Sequence, residues 1–189
     1  MKVSREQAAL NRERIVETAA RLFREKGYDG IGVADLMKAA GLTHGGFYGH
    51  FGSKEDLLAE ACGKALEKSA ERWTNVAARA PGRPREAIAE AYLTGRHRDR
   101  PGAGCAVTAL GADVARAGEA ARRALSNGVE QQLAILSRLE PGETDAERRR
   151  RAIADYAAMV GGIVLARIAT DPARSDEILA AVTAALTEK

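Results

Sequence analysis

The sequence predicts an all-α protein with two parts, a three-helix unit with helix-turn-helix spacing over residues 1–52 and a larger helical region over 53–189. Three observations carry that prediction. Aromatic residues make up only 4 % of a chain that is 46 % apolar and rich in alanine, a composition that suits closely packed helices better than a sandwich or barrel. Apolar residues return every three or four positions, and glycines and prolines punctuate those runs at intervals matching helix lengths.

Over residues 4–26 the positions Leu10, Ile15, Ala19, Leu22 and Phe23 define one helical face, and Gly27 stands where a left-handed cap ends such a helix. Residues 28–32 read as a connection with two glycines. Val33, Leu36, Met37 and Ala40 then mark a short second helix that Gly41 stops. Thr43 offers a hydroxyl as N-cap for a third helix ending near Phe51, and Ser53 caps a fourth that no proline interrupts before residue 78. Pro81, Gly82 and Pro84 form a hinge, residues 87–93 read as helix, and 96–104 as a polar loop. Four further helices are expected over 105–114, 119–139, 145–170 and 174–186, divided by Gly118, by Pro141 and Gly142, and by Asp171 and Pro172.

Composition also bounds function. No apolar run approaches the roughly 20 residues that span a bilayer, and the first residues lack an apolar signal region, so a cytoplasmic, nucleoid-associated protein is expected. The two cysteines, Cys62 and Cys105, outline neither a disulfide framework nor a metal site, and both are read as thiols. Residues 1–60 hold nine Lys/Arg and nine Asp/Glu, so any contact with nucleic acid there depends on placing cations on one face rather than on net charge. No Ser/His/Asp set, paired acids or phosphate-cradling loop appears; no enzyme, cofactor or metal is expected.

The informative segment is residues 32–51. Two helices of about two turns are joined at Gly41, which can take the positive φ of the turn, while Leu42 is expected in a small core with Ala34, Met37 and Phe47. Gly45, Gly46 and Gly49 each cost roughly 1 kcal/mol in a helix relative to alanine, so packing or close approach to a partner must offset them. Thr43, His44, Tyr48 and His50 carry donors and acceptors suited to phosphates and base edges, and Phe47 and Phe51 hold the inner face. Read blandly, the aromatics are core and the histidines merely solvated.

Val33-Ala-Asp-Leu, Ala40-Gly-Leu-Thr, Gly46-Phe-Tyr-Gly-His-Phe and Ser53-Lys-Glu-Asp-Leu together resemble the DNA-binding signature of the tetracycline-repressor (TetR) family, over about 45 residues. The resemblance implies that Thr43, His44, Gly45, Gly46, Tyr48 and His50 lie in or beside the major groove of operator DNA, and that Lys54 meets a phosphate at a helix N-terminus. One departure stands out: the family usually has Thr or Ser where this chain has Gly32, so a hydroxyl cap is missing and the backbone N–H groups of Gly32 and Val33 are left to serve. Lys2, Arg5 and Arg12 are candidates for an additional phosphate contact or for a solvated arm.

The resemblance further implies a helical regulatory region that pairs two subunits and encloses a small-molecule effector. Tyr156, Met159, Val160, Gly161, Ile163, Val164 and Ile168, with Ile178, Leu179, Val182 and Leu186, form apolar stripes suited to an intersubunit four-helix bundle or to packing within one chain. Trp73, Tyr92, Leu93, Val107, Leu110, Val114, Leu133 and Tyr156 are the candidates for the ligand cavity, and equally good core residues. Cys105 would start a helix just after Arg96, Arg98 and Arg100, a setting for a redox- or electrophile-sensing thiol as well as for an inert buried one. Three functions are therefore weighed: a repressor released by a ligand, one switched by a thiol, and a helical interaction protein that does not read DNA sequence.

Overall fold

The computed structural model describes residues 4–188, which are helical throughout with no strand among them. In chain order the helices are α1 (Arg5–Lys26), α2 (Val33–Ala39), a 3₁₀ helix (His44–Gly49), α3 (Lys54–Arg79), α4 (Pro84–Tyr92), α5 (Gly95–Asp99), a second 3₁₀ helix (Pro101–Ala103), α6 (Ala106–Arg116), α7 (Glu119–Leu139), α8 (Asp145–Ile168) and α9 (Pro172–Thr187).

The helix starts follow their capping chemistry. Ser4 Oγ accepts the Gln7 N–H at 3.1 Å, Ser53 Oγ accepts that of Asp56 at 3.0 Å, and Thr144 with Glu147 closes a reciprocal capping box at the head of α8. Each such cap is worth about 1 kcal/mol. Gly41 adopts φ 68° at the turn between α2 and the first 3₁₀ helix, as the spacing predicted. Gly27 has φ 77° but an extended ψ of 168°, a region still less open to L residues than the expected left-handed cap.

Three expectations are corrected. The third helix is 3₁₀ rather than α, closed by the Gly46 N–H to the Thr43 carbonyl at 3.0 Å, and the Thr43 hydroxyl makes no cap. Three glycines in six residues weaken the α-helical alternative, and a short i→i+3 turn asks less of them. Residues 96–104 are not a loop: Thr94 Oγ1 accepts the His97 N–H at 3.1 Å and starts α5, and Pro101 starts the second 3₁₀ helix. Ala34 faces solvent, while Leu42 packs, half-buried, against the core with Met37 and Phe47.

The long α3 begins under the N-terminal helices and runs on into the rest of the molecule. Leu57 and Leu58 at its start are fully buried in one core cluster with Phe23, Leu36 and Phe47, and its later turns pack along α7. Gly128 of α7 sets that spacing, since a Cβ there would stand 2.3 Å from Leu66 Cδ1. On the far side Arg85 of α4 is buried against Asp155 of α8 at 2.6 Å, and Glu140 lies 3.9 Å away, so α4, α7 and α8 share a paired charge rather than an isolated one.

Candidate nucleic-acid interface and ligand cavity

The first 3₁₀ helix alternates between an anchored and a bare face. Phe47 is 1 % exposed and Phe51 is buried beside it with ring centroids 5.6 Å apart, whereas the adjacent Tyr48 is 68 % exposed. Tyr48 stands edge-on between Phe47 at 5.2 Å and His44 at 6.3 Å, contacts that orient its ring without covering it. Thr43, His44, Gly45 and Gly49 are exposed, and His50 and Gly46 are half-buried. A Cβ built at Gly45 or Gly49 would meet nothing within 4 Å. Nothing inside the chain explains why those positions lack a side chain, and they leave a smooth exposed surface beside Tyr48.

The flanking candidates divide. Gly32 is exposed at the N-cap of α2 with no side-chain cap, φ −85° and ψ 162°, and Val33 after it is half-buried. Lys54 is drawn inward: its ammonium donates to the Tyr28 carbonyl at 2.5 Å and sits 4.3 Å over the Tyr28 ring, which ties the 27–32 connection to α3. Any phosphate contact has only its remaining donors. Arg12 is committed elsewhere, to Glu60 of α3 at 2.7 Å and to the face of Phe51 at 4.8 Å, so it braces α1 rather than forming a free arm. Arg5 is exposed; Lys2 lies outside the described residues.

Further contacts tie this unit to the chain beyond α3. The Tyr28 N–H donates to Asp113 of α6 at 3.0 Å, and Arg24 of α1 donates through Nε to the Gly102 carbonyl at 3.2 Å and again through a second guanidinium nitrogen. A Cβ at Gly102 would crowd the outer part of the Glu25 side chain. Burial is the largest influence on Arg24 and pulls its pKa below the usual arginine range, although it keeps its charge.

The segment that Arg24 grips also forms one wall of a cavity of about 320 Å³ beside α3 and α4. Trp73, Tyr92 and Cys105 line it, together with Arg72, Arg96 and Arg100. Trp73 packs edge-on against Tyr92 at 5.9 Å and Tyr156 at 5.4 Å. His97 is locked between the two sides: its Nε2 accepts the Cys105 N–H at 2.9 Å, so the proton is on Nδ1, which donates to the Tyr92 carbonyl at 2.8 Å. Burial foremost, with Arg167 and Arg72 nearby, lowers its pKa to about 4. Behind this wall Cys105 Sγ lies 3.7 Å from the Tyr156 hydroxyl, which donates to Gln132, whose amide donates to Ser69 Oγ at 2.8 Å. The Tyr92 hydroxyl is buried beside the Cys105 thiol, and burial foremost, with that thiol, raises its pKa.

Of the eight sequence candidates for the cavity, only Trp73 and Tyr92 line it. Leu93, Leu110, Val114, Leu133 and Tyr156 are buried in the core and Val107 is half-buried against it; apolar periodicity marks burial and cannot separate a cavity wall from close packing. Arg72, Arg96 and Arg100 were missed as lining residues because charged positions read as solvated. Cys62 is buried in the core, and burial pushes its thiol up to about 12, leaving it inert.

The expected subunit stripe is likewise redistributed. Tyr156, Met159 and Ile163 of α8 and Leu179 and Leu186 of α9 are buried within the chain, with Val160, Ile178 and Val182 partly so. The face left bare is Ile153 at 47 %, Val164, Leu165 at 51 % and Ile168 at 69 % exposure, with exposed Ala157 and a Gly161 whose absent Cβ would meet nothing. Gly162, by contrast, is filled from inside, where a Cβ would stand 3.0 Å from Leu93 and 3.3 Å from Val182. Ile153 and Leu165 were not foreseen.

Residues 15–61 match the family described as bacterial regulatory proteins, tetR family. Among curated proteins the chain is 31 % identical over 88 residues to the uncharacterized HTH-type transcriptional regulator YerO of Bacillus subtilis, 47 % of this chain and 30 % of that one. It is also 31 % identical over 90 residues, 48 % of this chain, to the HTH-type transcriptional regulator AcrR of Shigella flexneri, of which it spans 42 %. The similarity to the HTH-type transcriptional repressor NemR of Escherichia coli is longer, 28 % over 167 residues, covering 83 % of this chain and 84 % of the other. The crystal structure of the reduced form of E. coli NemR superposes with a TM-score of 0.77 at 26 % identity, over 93 % of this chain and 94 % of that one.

Proposed function

The chain belongs to the TetR family of bacterial regulatory proteins, and from that premise we propose that it works as a homodimeric repressor that reads operator DNA and is released by a small molecule. The observation that carries the reading is the paired setting of Phe47 and Tyr48: one side of the first 3₁₀ helix is anchored and the other presents Tyr48 and His44 on a surface stripped of side chains by Gly45 and Gly49. Such a surface lets backbone N–H groups and the tyrosine hydroxyl reach phosphates while His44 and Thr43 reach base edges. Residues 1–52 make this contact; residues 53–189 regulate it.

A single such element spans too few base pairs for selectivity, and a second copy supplies the rest. Ile153, Ala157, Gly161, Val164 and Ile168 follow spacings of four, four, three and four on α8, the pattern of a helix that packs against its symmetry mate. Occupation of the cavity displaces the 100–105 wall, and the Arg24 grip on Gly102 carries that displacement into α1, changing the separation of the two reading heads. Replacing Tyr48 by Ala tests the reading. Fluorescence anisotropy with DNA from the chain's own promoter region should show at least a roughly tenfold loss of affinity with the dimer intact; unchanged affinity would remove the assigned reading surface.

A thiol switch is the second reading, favoured by one observation: Cys105 belongs to the cavity lining, next to the entry for a small oxidant, while Cys62 is sealed in the core. Under this reading Cys105→Ser abolishes release from DNA by peroxide and leaves DNA affinity itself unchanged. Equal release of the parent and the variant excludes it.

A further inference from the structure

The cavity has an unusual charge balance. Arg72, Arg96 and Arg100 line it, no Asp or Glu does, and among the described residues none of the three forms an ion pair. Arg72 has only a long 3.5 Å contact to the Ala103 carbonyl. The neighbouring Arg98 shows what satisfied charge looks like in the same segment, since Asp99 at 2.7 Å and Asp176 at 2.6 Å hold it away from the cavity. Arg167 adds a further cation behind the wall, bonded to the carbonyls of Arg98 and His97 at 3.0 and 2.9 Å rather than to a carboxylate. Arg72, Arg96 and Arg100 are solvent-exposed, and positive groups lining a concave space without a carboxylate favour an anion.

The inner end makes a second demand. Trp73 and Tyr92 offer an aromatic wall. Such a wall accepts a flat apolar or aromatic body. Both ends thus specify the same kind of molecule.

Taking the cavity as the effector site, as proposed above, we infer that its effector is an amphipathic organic carboxylate. The carboxylate is held by Arg72, Arg96 and Arg100 at the mouth, and an apolar or aromatic body lies against Trp73 and Tyr92. Trp73 is the only tryptophan of the chain, so its emission reports occupancy directly.

The experiment titrates the full-length dimer with 4-phenylbutyrate, 4-phenylbutanamide and 4-phenylbutylamine, three probes that share a body and differ in head charge, and reads Trp73 emission. The carboxylate should bind at least roughly tenfold more tightly than the amide, the amine least, and Arg96→Met should remove that preference while leaving the amide's affinity alone. Equal or tighter binding of the amide or amine, an unchanged carboxylate affinity in Arg96→Met, or no response to any probe at millimolar concentration overturns the inference. DNA release is followed in parallel. Arginine-dependent carboxylate binding without loss of DNA affinity would sink the effector-site reading and leave the charge selectivity standing. Release driven equally by the amide would do the reverse.

Discussion

His97 shows how a single side chain can both build and report the regulatory wall. Its two ring nitrogens are used at once, by the Cys105 N–H and the Tyr92 carbonyl, and only the neutral ring allows that. With a pKa of about 4 in the folded chain against an ordinary 6.5, the unfolded state binds more protons between those values, so stability is complete above 6.5 and falls as pH drops toward 4. Urea unfolding at roughly pH 7 and pH 5 should differ by about 2 kcal/mol from this group, a difference absent from His97→Gln. The same residue marks a limit of sequence reading. Nothing in the spacing of Thr94, His97 and Cys105 announces a hydrogen-bonded wall, since each bond depends on α5, which the polar composition of 96–104 disguised as a loop. Tyr48 was legible for the opposite reason: an aromatic followed by a glycine and set between buried aromatics has few places to go but outward.

Among the elements, α2 and the 3₁₀ helix after it are the proposed readers of DNA, and their ends are where sequence chemistry bears most directly on that proposal. α2 starts at Gly32 with no side-chain acceptor for its first N–H groups, although the extended backbone there suits serine and a Cβ would meet nothing within 4 Å. Gly32→Ser should therefore raise stability by about 0.5 kcal/mol in denaturant unfolding and strengthen DNA binding through an added hydroxyl donor. Weakened DNA binding in a stabilised Gly32→Ser variant would place the start of α2 away from the phosphates. Long helices such as α7 were readable to the residue because Gly118 and Pro141 bracket an uninterrupted run. The 3₁₀ geometry of 44–49 was not, because apolar spacing places Phe47 and Phe51 inward in either helix type.

At the scale of the whole molecule the account turns on α8, a helix with apolar residues on two faces. Periodicity finds the residues but not their direction: Tyr156, Met159 and Ile163 face the chain's own core, and Ile153, Val164, Leu165 and Ile168 face out. Only packing against α4, α7 and α9 decides which face is used at home. Replacing Ile168 by Glu should leave helical content unchanged, shift sedimentation from dimer to monomer and cost selective DNA binding; a dimer unaffected by Ile168→Glu places the subunit contact elsewhere. In the proposed dimer the two reading heads meet one duplex together, on successive major grooves about 34 Å apart on one face. A hydroxyl-radical footprint on the chain's own promoter DNA measures that most directly. Two protected patches separated by whole helical turns on one face, both lost in Tyr48→Ala, are the predicted result. A single unbroken patch, protection independent of sequence, or a footprint that survives Tyr48→Ala would contradict it.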